Sequence, residues 1–367
     1  MLVTVTLYLD YLLFRYFQYA FHLVVFSIWR KSTEEIHTIL YVLGWMFSNH
    51  MMKNKTLTFI FSVLVLMLAL PASGRDLKIL YWNIQNGMWS DQGNNYDNFV
   101  EFVKGQNPDI CVWCEAESRY RTGTAEKMTE YDEFYLPWNW DFLARRYGHR
   151  YVLVCGKRDM FPQVITSKYP IRIVKRVNGN GDDIVVVHGA GWAQVEVGGK
   201  TMNIVTLHTW PQKYAYKAVN QAESIKNQEG DVFRAKEMQY ICEQTIGTIP
   251  ESASQYWMML GDFNAKSRVD NAVYGFDEDD KAFLVHDYVR EHTPYIDVVE
   301  RLHPGEFQKS TLSGKRIDFV YMTEPLFRKV RSAEFIYDGF ADLFRDSRIS
   351  KFCHPSDHYP ILITMKF

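Results

Sequence analysis

Tyr256-Trp257-Met258-Met259-Leu260-Gly261-Asp262-Phe263-Asn264 reads as a strand that runs straight into polar groups. The apolar run is short, continuous and without helical period, as in a strand buried on both faces. It stops at Gly261, and Asp262 and Asn264 then bracket an aromatic where a sheet edge opens. An Asp there can hold or deprotonate a water, and an Asn can orient it or hydrogen-bond a phosphate oxygen. An Asx turn that merely caps the strand fits the same residues, Gly261 included.

Five further strings share this character. Upstream lie Trp82-Asn83, Glu115 at the close of Asp109–Glu115, and His208 in Thr206-Leu207-His208-Thr209. Downstream lie Arg316-Ile317-Asp318 and Ser356-Asp357-His358. Glu115 delivers a carboxylate to a strand end, an oxygen donor of the kind that hard divalent cations prefer. His358 is beside Asp357, but neighbours on an extended segment point apart, so Asp318 is the better partner to orient its imidazole. Alone, Glu115 reads as a solvated turn residue and His208 as a core histidine. Their order and their placement at strand ends make the set far more specific than any member.

The remaining pattern is of many strands with helices between them. Leu77–Ile84, Asp109–Glu115, Tyr151–Cys155 and Val164–Ser167 have strand composition. Ile184–His188, Trp192–Val197 and Thr201–His208 read as successive antiparallel strands, the last two joined across Gly198-Gly199. Ile317–Tyr321 and Ile361–Met365 close the sheets. Helices are expected at Tyr96–Lys104, at 140–147, and from an N-cap at Asp231 to about Thr245. Hairpins outnumber β-α-β crossovers, which predicts mostly antiparallel sheets packed face to face with helices outside.

From about Asp76 to Phe367 the chain resembles the endonuclease/exonuclease/phosphatase superfamily, which includes DNase I, AP endonucleases, neutral sphingomyelinases and inositol polyphosphate phosphatases. The resemblance rests on the six strings above, and Val164–Ile171 is similar to the family's S-x-x-P-I segment. It implies an α/β four-layer sandwich, two mostly antiparallel central sheets flanked by helices, with the site at one end of the sheets. It implies in-line attack of water on phosphorus. Glu115, Asp357 and Asn83 would hold Mg²⁺ or Mn²⁺; Asn83, Asn264 and His208 would contact the phosphate. Either Asp262, oriented by Asn264, or the Asp318–His358 pair would activate the water. One departure stands out: AP endonucleases usually carry an Asp two residues after the first-strand Asn, and here that residue is Gln85, which argues against that branch.

Composition bounds the substrate less tightly. Hydrophobic residues make up 47% and charged residues 23%, enough for a large core. Net charge is −2 overall and near −4 from residue 75 onward, so no strongly basic surface is implied, which weakens a case for non-specific nucleic-acid binding driven by charge. A bound cation supplies local positive charge, so cleavage of nucleic acid stays open. The substrate is expected to be a phosphate ester: a nucleic acid, or a phosphorylated small molecule or lipid acted on by a phosphatase or phospholipase-C-like enzyme. An inactive binding module of the same fold is the third reading, and the intact set argues against it. No obligate protein partner is implied. Tyr131–Tyr151 is rich in aromatics and reads as a mini-core or as a stacking platform. Pro211–Gly230 follows His208 and should border the cleft, with Lys213, Lys217 and Lys226 on a surface loop able to meet phosphate.

Met51–Lys55, the apolar run Leu57–Leu70 and Pro71–Gly74 have the form of a secretory signal peptide cut before Arg75, which predicts an exported domain, 75–367. Residues 1–50 read as a mis-assigned upstream extension, or as part of a membrane anchor. The five Cys all follow residue 75; Cys111 and Cys114 form a C-x-x-C that reads as buried small hydrophobes, since no second pair completes a zinc set.

Overall fold

Two six-stranded sheets carry the fold in the computed structural model, which describes residues 76–88, 91, 95–116, 135–157, 161–338 and 356–367. The signal segment, residues 1–50 and Cys353 lie outside the described residues, as do 131–134 of the aromatic stretch. The strands are β1 (Asp76–Asn83), β2 (Ile110–Cys114), β3 (Tyr151–Cys155), β4 (Gln163–Ser167), β5 (Ile171–Gly179), β6 (Val185–Val197), β7 (Lys200–His208), β8 (Trp257–Asp262), β9 (Tyr295–Asp297), β10 (Asp318–Thr323), β11 (Val330–Phe335) and β12 (Ile361–Lys366). One sheet has the order β11-β12-β1-β2-β4-β3 and the other β5-β6-β7-β8-β10-β9. The β1–β2 and β7–β8 pairs are parallel, and the other pairs are antiparallel.

Alternation along the strands sorts side chains into layers. On β7, β8 and β10, Ile204, Met258, Leu260, Val320 and Met322 join the core that also holds the first sheet. Their odd-numbered neighbours Val205, Leu207, Trp257, Met259, Phe319 and Tyr321 form a second core on the outer face. Helix α1 (Asp97–Gln106) covers the first sheet, bringing Phe102 to 5.3 Å from Trp82 and Phe99 to 5.0 Å from Trp113. Helix α2 (Tyr135–Arg146) adds Trp140, stacked 5.9 Å from Trp113. Helix α3 (Glu229–Gln244) covers the second sheet through Met238, Ile241 and Cys242. Helix, sheet, sheet and helix make the four layers.

Trp140 and Tyr147 of the aromatic stretch are therefore buried, whereas Phe142 is 60% exposed. Two strand expectations fail for one reason. Gly189-Ala190-Gly191 was expected to separate the strands Ile184–His188 and Trp192–Val197, yet β6 runs through it. A Cβ on Gly191 would sit 2.4 Å from the Cys155 Cβ, and one on Gly189 2.4 Å from the Lys157 nitrogen. These glycines mark where the sheets approach closely, not a turn. Strand β5 was not anticipated; it is the edge of its sheet and holds Arg172, Lys175 and Arg176, the charge an edge strand carries. Helix α3 starts at Glu229, so Asp231 lies in its first turn, paired with Arg234, and not at the cap. The described cysteines Cys111, Cys114, Cys155 and Cys242 are buried free thiols; burial pushes each pKa up, the state of inert packing residues.

Gly261 has a similar constraint at the site end. A Cβ there would fall 2.1 Å from the Leu207 carbonyl oxygen on the paired strand. Gly261→Ala is expected to destabilise the fold by about 1–3 kcal/mol or more, the cost of forcing backbone apart. An unchanged urea midpoint would show that β7 and β8 have slack.

Candidate active site

Strand register alone assembles half of the site. His208 pairs with Asp262 across β7–β8, and Asp262 pairs with Asp318 across β8–β10, so the three form one row. All three are even-numbered, on the face that looks toward the first sheet. On β1 the residues facing them are Tyr81 and Asn83. The Tyr81 hydroxyl donates to Asp318 Oδ1 at 2.6 Å, and Asn83 Nδ2 donates to Asp262 Oδ2 at 3.1 Å. Asn83 Nδ2 also reaches Glu115 Oε1 at 3.3 Å, across the β1–β2 pair.

The C-terminal segment completes the row. His358 Nδ1 lies 2.7 Å from Asp318 Oδ2, and its Nε2 lies 3.7 Å from Asp262 Oδ2. Three bonds fix the approach: Ser356 Oγ donates to the Asn83 carbonyl at 2.6 Å, Trp82 Nε1 to the His358 carbonyl at 2.9 Å, and the Asp357 N–H to Gln85 Oε1 at 3.2 Å. Asp318, not Asp357, thus orients His358. The Asp357 carboxylate is more than half exposed, at the rim, with Oδ1 3.9 Å from His358 Nε2.

Glu115 and Asn264 both have left-handed backbone, with φ of 50° and 47°. For Glu115 this is an uncommon conformation of the kind found at functional sites. Its carbonyl accepts from Gly87 N–H at 2.7 Å. Asn264 orients Asp262 through its backbone: its N–H donates to Asp262 Oδ1 at 2.9 Å, while its side-chain amide donates to the Thr209 carbonyl at 3.2 Å. His208 Nε2 stands 3.8 Å from Asp262 Oδ2.

Burial would lower the pKa of His358, but Asp318 overrides it, helped by Asp262 and Asp357, and pushes it up to about 10. Burial raises Asp262, and the Asp318 charge adds to this while His358 opposes. Burial lowers His208, and His188 and His358 lower it further, so its imidazole is neutral at neutral pH. Donor atoms of Asp262, Asp318 and His358 lie within 4.8 Å of one another. Asp318 and His358 are bonded to each other, however. The buried carboxylates Asp262 and Asp318, with Glu115 beside Asn83, offer the hard oxygen atoms that suit a divalent cation.

Two residues at the site were not anticipated. Tyr81 is two before Asn83 on the same face, and strand alternation alone would have found it. His188 lies flat on His208, ring centroids 4.5 Å apart and planes 20° apart, with Phe161 edge-on to both. Nothing in the sequence near His188 marks it.

The fold is that of known phosphate-ester enzymes. An AP endonuclease from Archaeoglobus fulgidus matches at a TM-score of 0.53 and 15% identity, over 79% of this chain and 100% of that one. An AP endonuclease from Leishmania major matches at 0.52 and 13%, over 80% and 88%. A 3′ phosphatase from Neisseria, solved with a product DNA hairpin, matches at 0.50 and 16%, over 79% and 100%. No family model matches the sequence, and no curated protein does. The architecture is therefore the α/β sandwich that these solved structures share, and the likeness at these identities is one of fold.

The raised pKa of His358 has a signed consequence. Its contribution to stability is complete below the ordinary histidine value of about 6.5 and is lost as pH rises through about 10. With chelator present, the stability gap between wild type and His358→Gln should be widest at the acid end of that window and shrink toward its alkaline end. A gap that widens with pH in denaturant titrations would overturn the ion-pair assignment.

Proposed function

We propose that the chain is an exported, divalent-metal-dependent phosphoesterase that hydrolyses phosphodiester bonds by in-line attack of an activated water. The observation that carries this reading is the buried row His208–Asp262–Asp318, closed by His358 on Asp318. Export rests on the signal-peptide form of residues 51–74.

Each residue has a distinct part. His358, held cationic by Asp318, is a donor at neutral pH and not a base. It lies against Asp262 and can donate from Nε2 to a phosphate oxygen. Asp262 is the better base, since its raised pKa matches acceptance of a proton from water. The Asn264 N–H fixes one Asp262 oxygen and Asn83 the other, so the carboxylate cannot rotate away. His208, neutral, would add a hydrogen bond as charge builds on the phosphoryl oxygens.

The residues fit a cation. Glu115, Asp262 and Asp318 bring three carboxylates to a site where His358 is the nearby cationic side chain; burial pushes Asp262 up, and the Asp318 charge adds to this. Glu115 and Asn83, with Asp357 at the rim, would hold Mg²⁺ or Mn²⁺. When bound, the ion supplies positive charge to the phosphate and the leaving oxygen.

Among substrates, nucleic acid is the first to test, because a solved protein of this fold holds product DNA. The full-length chain should nick supercoiled plasmid with Mg²⁺, and His358→Ala should lose several orders of magnitude in turnover while remaining folded. A folded His358→Ala chain with near-normal turnover would sink the assignment. Absence of nicking by wild type that binds Mg²⁺ would move the substrate to phosphorylated small molecules or lipids.

A further inference from the structure

Helix α3 presents two buried polar side chains to the strand end that bears His208. Glu237 is 1% exposed and Arg234, one turn earlier, 4%. They share the peptide groups of Trp210: its N–H donates to Glu237 Oε2 at 2.8 Å, and its carbonyl accepts from Arg234 Nη1 at 3.0 Å. The other Glu237 oxygen, Oε1, accepts from the Val187 N–H at 2.8 Å. Burial pushes the Glu237 pKa up, and the Trp210 and Val187 N–H groups and Arg234 oppose this. A carboxylate can accept at both ends of its fork, whereas an amide accepts at one only.

The two N–H donors come from opposite strands. In the β6–β7 ladder the last pair before the site is Ala190 with Leu207. Carried three residues further, the same register would set Val187 opposite Trp210. Their N–H groups bind one carboxylate instead of the facing strand, so Glu237 ends the ladder where His188 and His208 lie. On β6 the His188 carbonyl is held from another side by the Lys157 N–H at 3.2 Å. After β7 the Thr209 N–H donates to the Asp262 carbonyl at 3.0 Å, and the Thr209 carbonyl accepts the Asn264 amide at 3.2 Å. Each ring of the His188–His208 stack therefore lies within two residues of a Glu237 bond, and so does the carbonyl that Asn264 uses.

We infer that Glu237 is a positioning residue: by clamping the open end of the β6–β7 ladder it sets His208 against His188 and aligns the loop that Asn264 grips. What these residues then do rests on the phosphoesterase reading; how they are held does not. Glu237→Ala and Glu237→Gln would be compared, in the full-length chain, with Met238→Ala, which trims a wholly buried side chain of the same helix and leaves both Glu237 bonds. Hydrolysis of bis(4-nitrophenyl) phosphate with Mg²⁺ gives kcat and KM, and NMR of histidine-labelled protein gives the His188 and His208 ring resonances. In Glu237→Ala, kcat should fall about 10²-fold and KM should change by less than about threefold, since misplaced groups that act on the transition state cost rate more than binding. Glu237→Gln keeps one acceptor, so its loss should be smaller, and it keeps the test open should the alanine variant unfold. Both ring resonances should shift in the Glu237 variants and stay in place in Met238→Ala. Equal losses of kcat in Glu237→Ala and Met238→Ala, or unshifted resonances in a folded Glu237 variant, would overturn the positioning role. A wild-type chain that cleaves neither bis(4-nitrophenyl) phosphate nor plasmid, while the Glu237 variants shift both resonances, would keep the positioning role and remove the phosphoesterase reading.

Discussion

The Asp318 carboxylate ties together three segments that are remote in sequence. One oxygen accepts from Tyr81 on the first sheet, and the other binds His358 near the chain's C-terminal end. Asp318 itself begins β10 of the second sheet. Its burial is tolerated because both oxygens are engaged and a cationic imidazole compensates its charge. Loss of this group would strand a buried imidazolium and a buried hydroxyl, which costs far more than the bond itself is worth. The two sheets are thus joined by polar bonds at the end where chemistry is wanted and by apolar packing elsewhere.

The register of the second sheet is the second constraint. His208, Asp262 and Asp318 converge because β7, β8 and β10 pair in one row, with the parallel β7–β8 pair placing two strand C-termini side by side. A one-residue slip would turn each of these side chains to the outer core. Gly261 enforces the alignment by letting β8 approach the Leu207 carbonyl. Arg316 secures the start of β10 from the other face. It is buried between Asp270 and Asp297 and stacks on the Phe319 ring at 4.3 Å, on the outer face. Its place in the Arg316-Ile317-Asp318 string is that of an anchor for the strand, since it lies away from the pocket.

Much of this was legible. The apolar runs gave most strands, with ends shifted by one or two residues, and the polar residues at those ends are the ones that meet. What strand alternation and adjacency reveal is local, so Asp318 could be preferred over Asp357 as the partner of His358 from sequence. What depends on contacts between sheets was not legible. The stack of His188 on His208 needs β6 and β7 in register, and the glycines of β6 read as a loop because their reason, the close pass of Cys155, is remote in sequence. Asn264 was expected to act on Asp262 with its side chain; its left-handed backbone hands that task to the N–H and leaves the amide for Thr209.

Charge is divided within a few residues of each catalytic string. Inside, burial raises Asp262 and the Asp318 charge adds to it while His358 opposes, which makes a place for a cation. Outside, burial lowers Lys266, and Lys315, Arg234 and Lys213 lower it further. Net charge averages such local fields and does not report them. In a low-dielectric cleft a few oriented charges outweigh a diffuse surface excess, because the local field and not the total decides what binds. The same backbone bonds serve both fields. Thr209 and Asn264 join the loops after β7 and β8, and the Thr311–His358 bridge joins the Lys315 turn to the imidazole. A displacement of either loop would therefore disturb the acidic pocket.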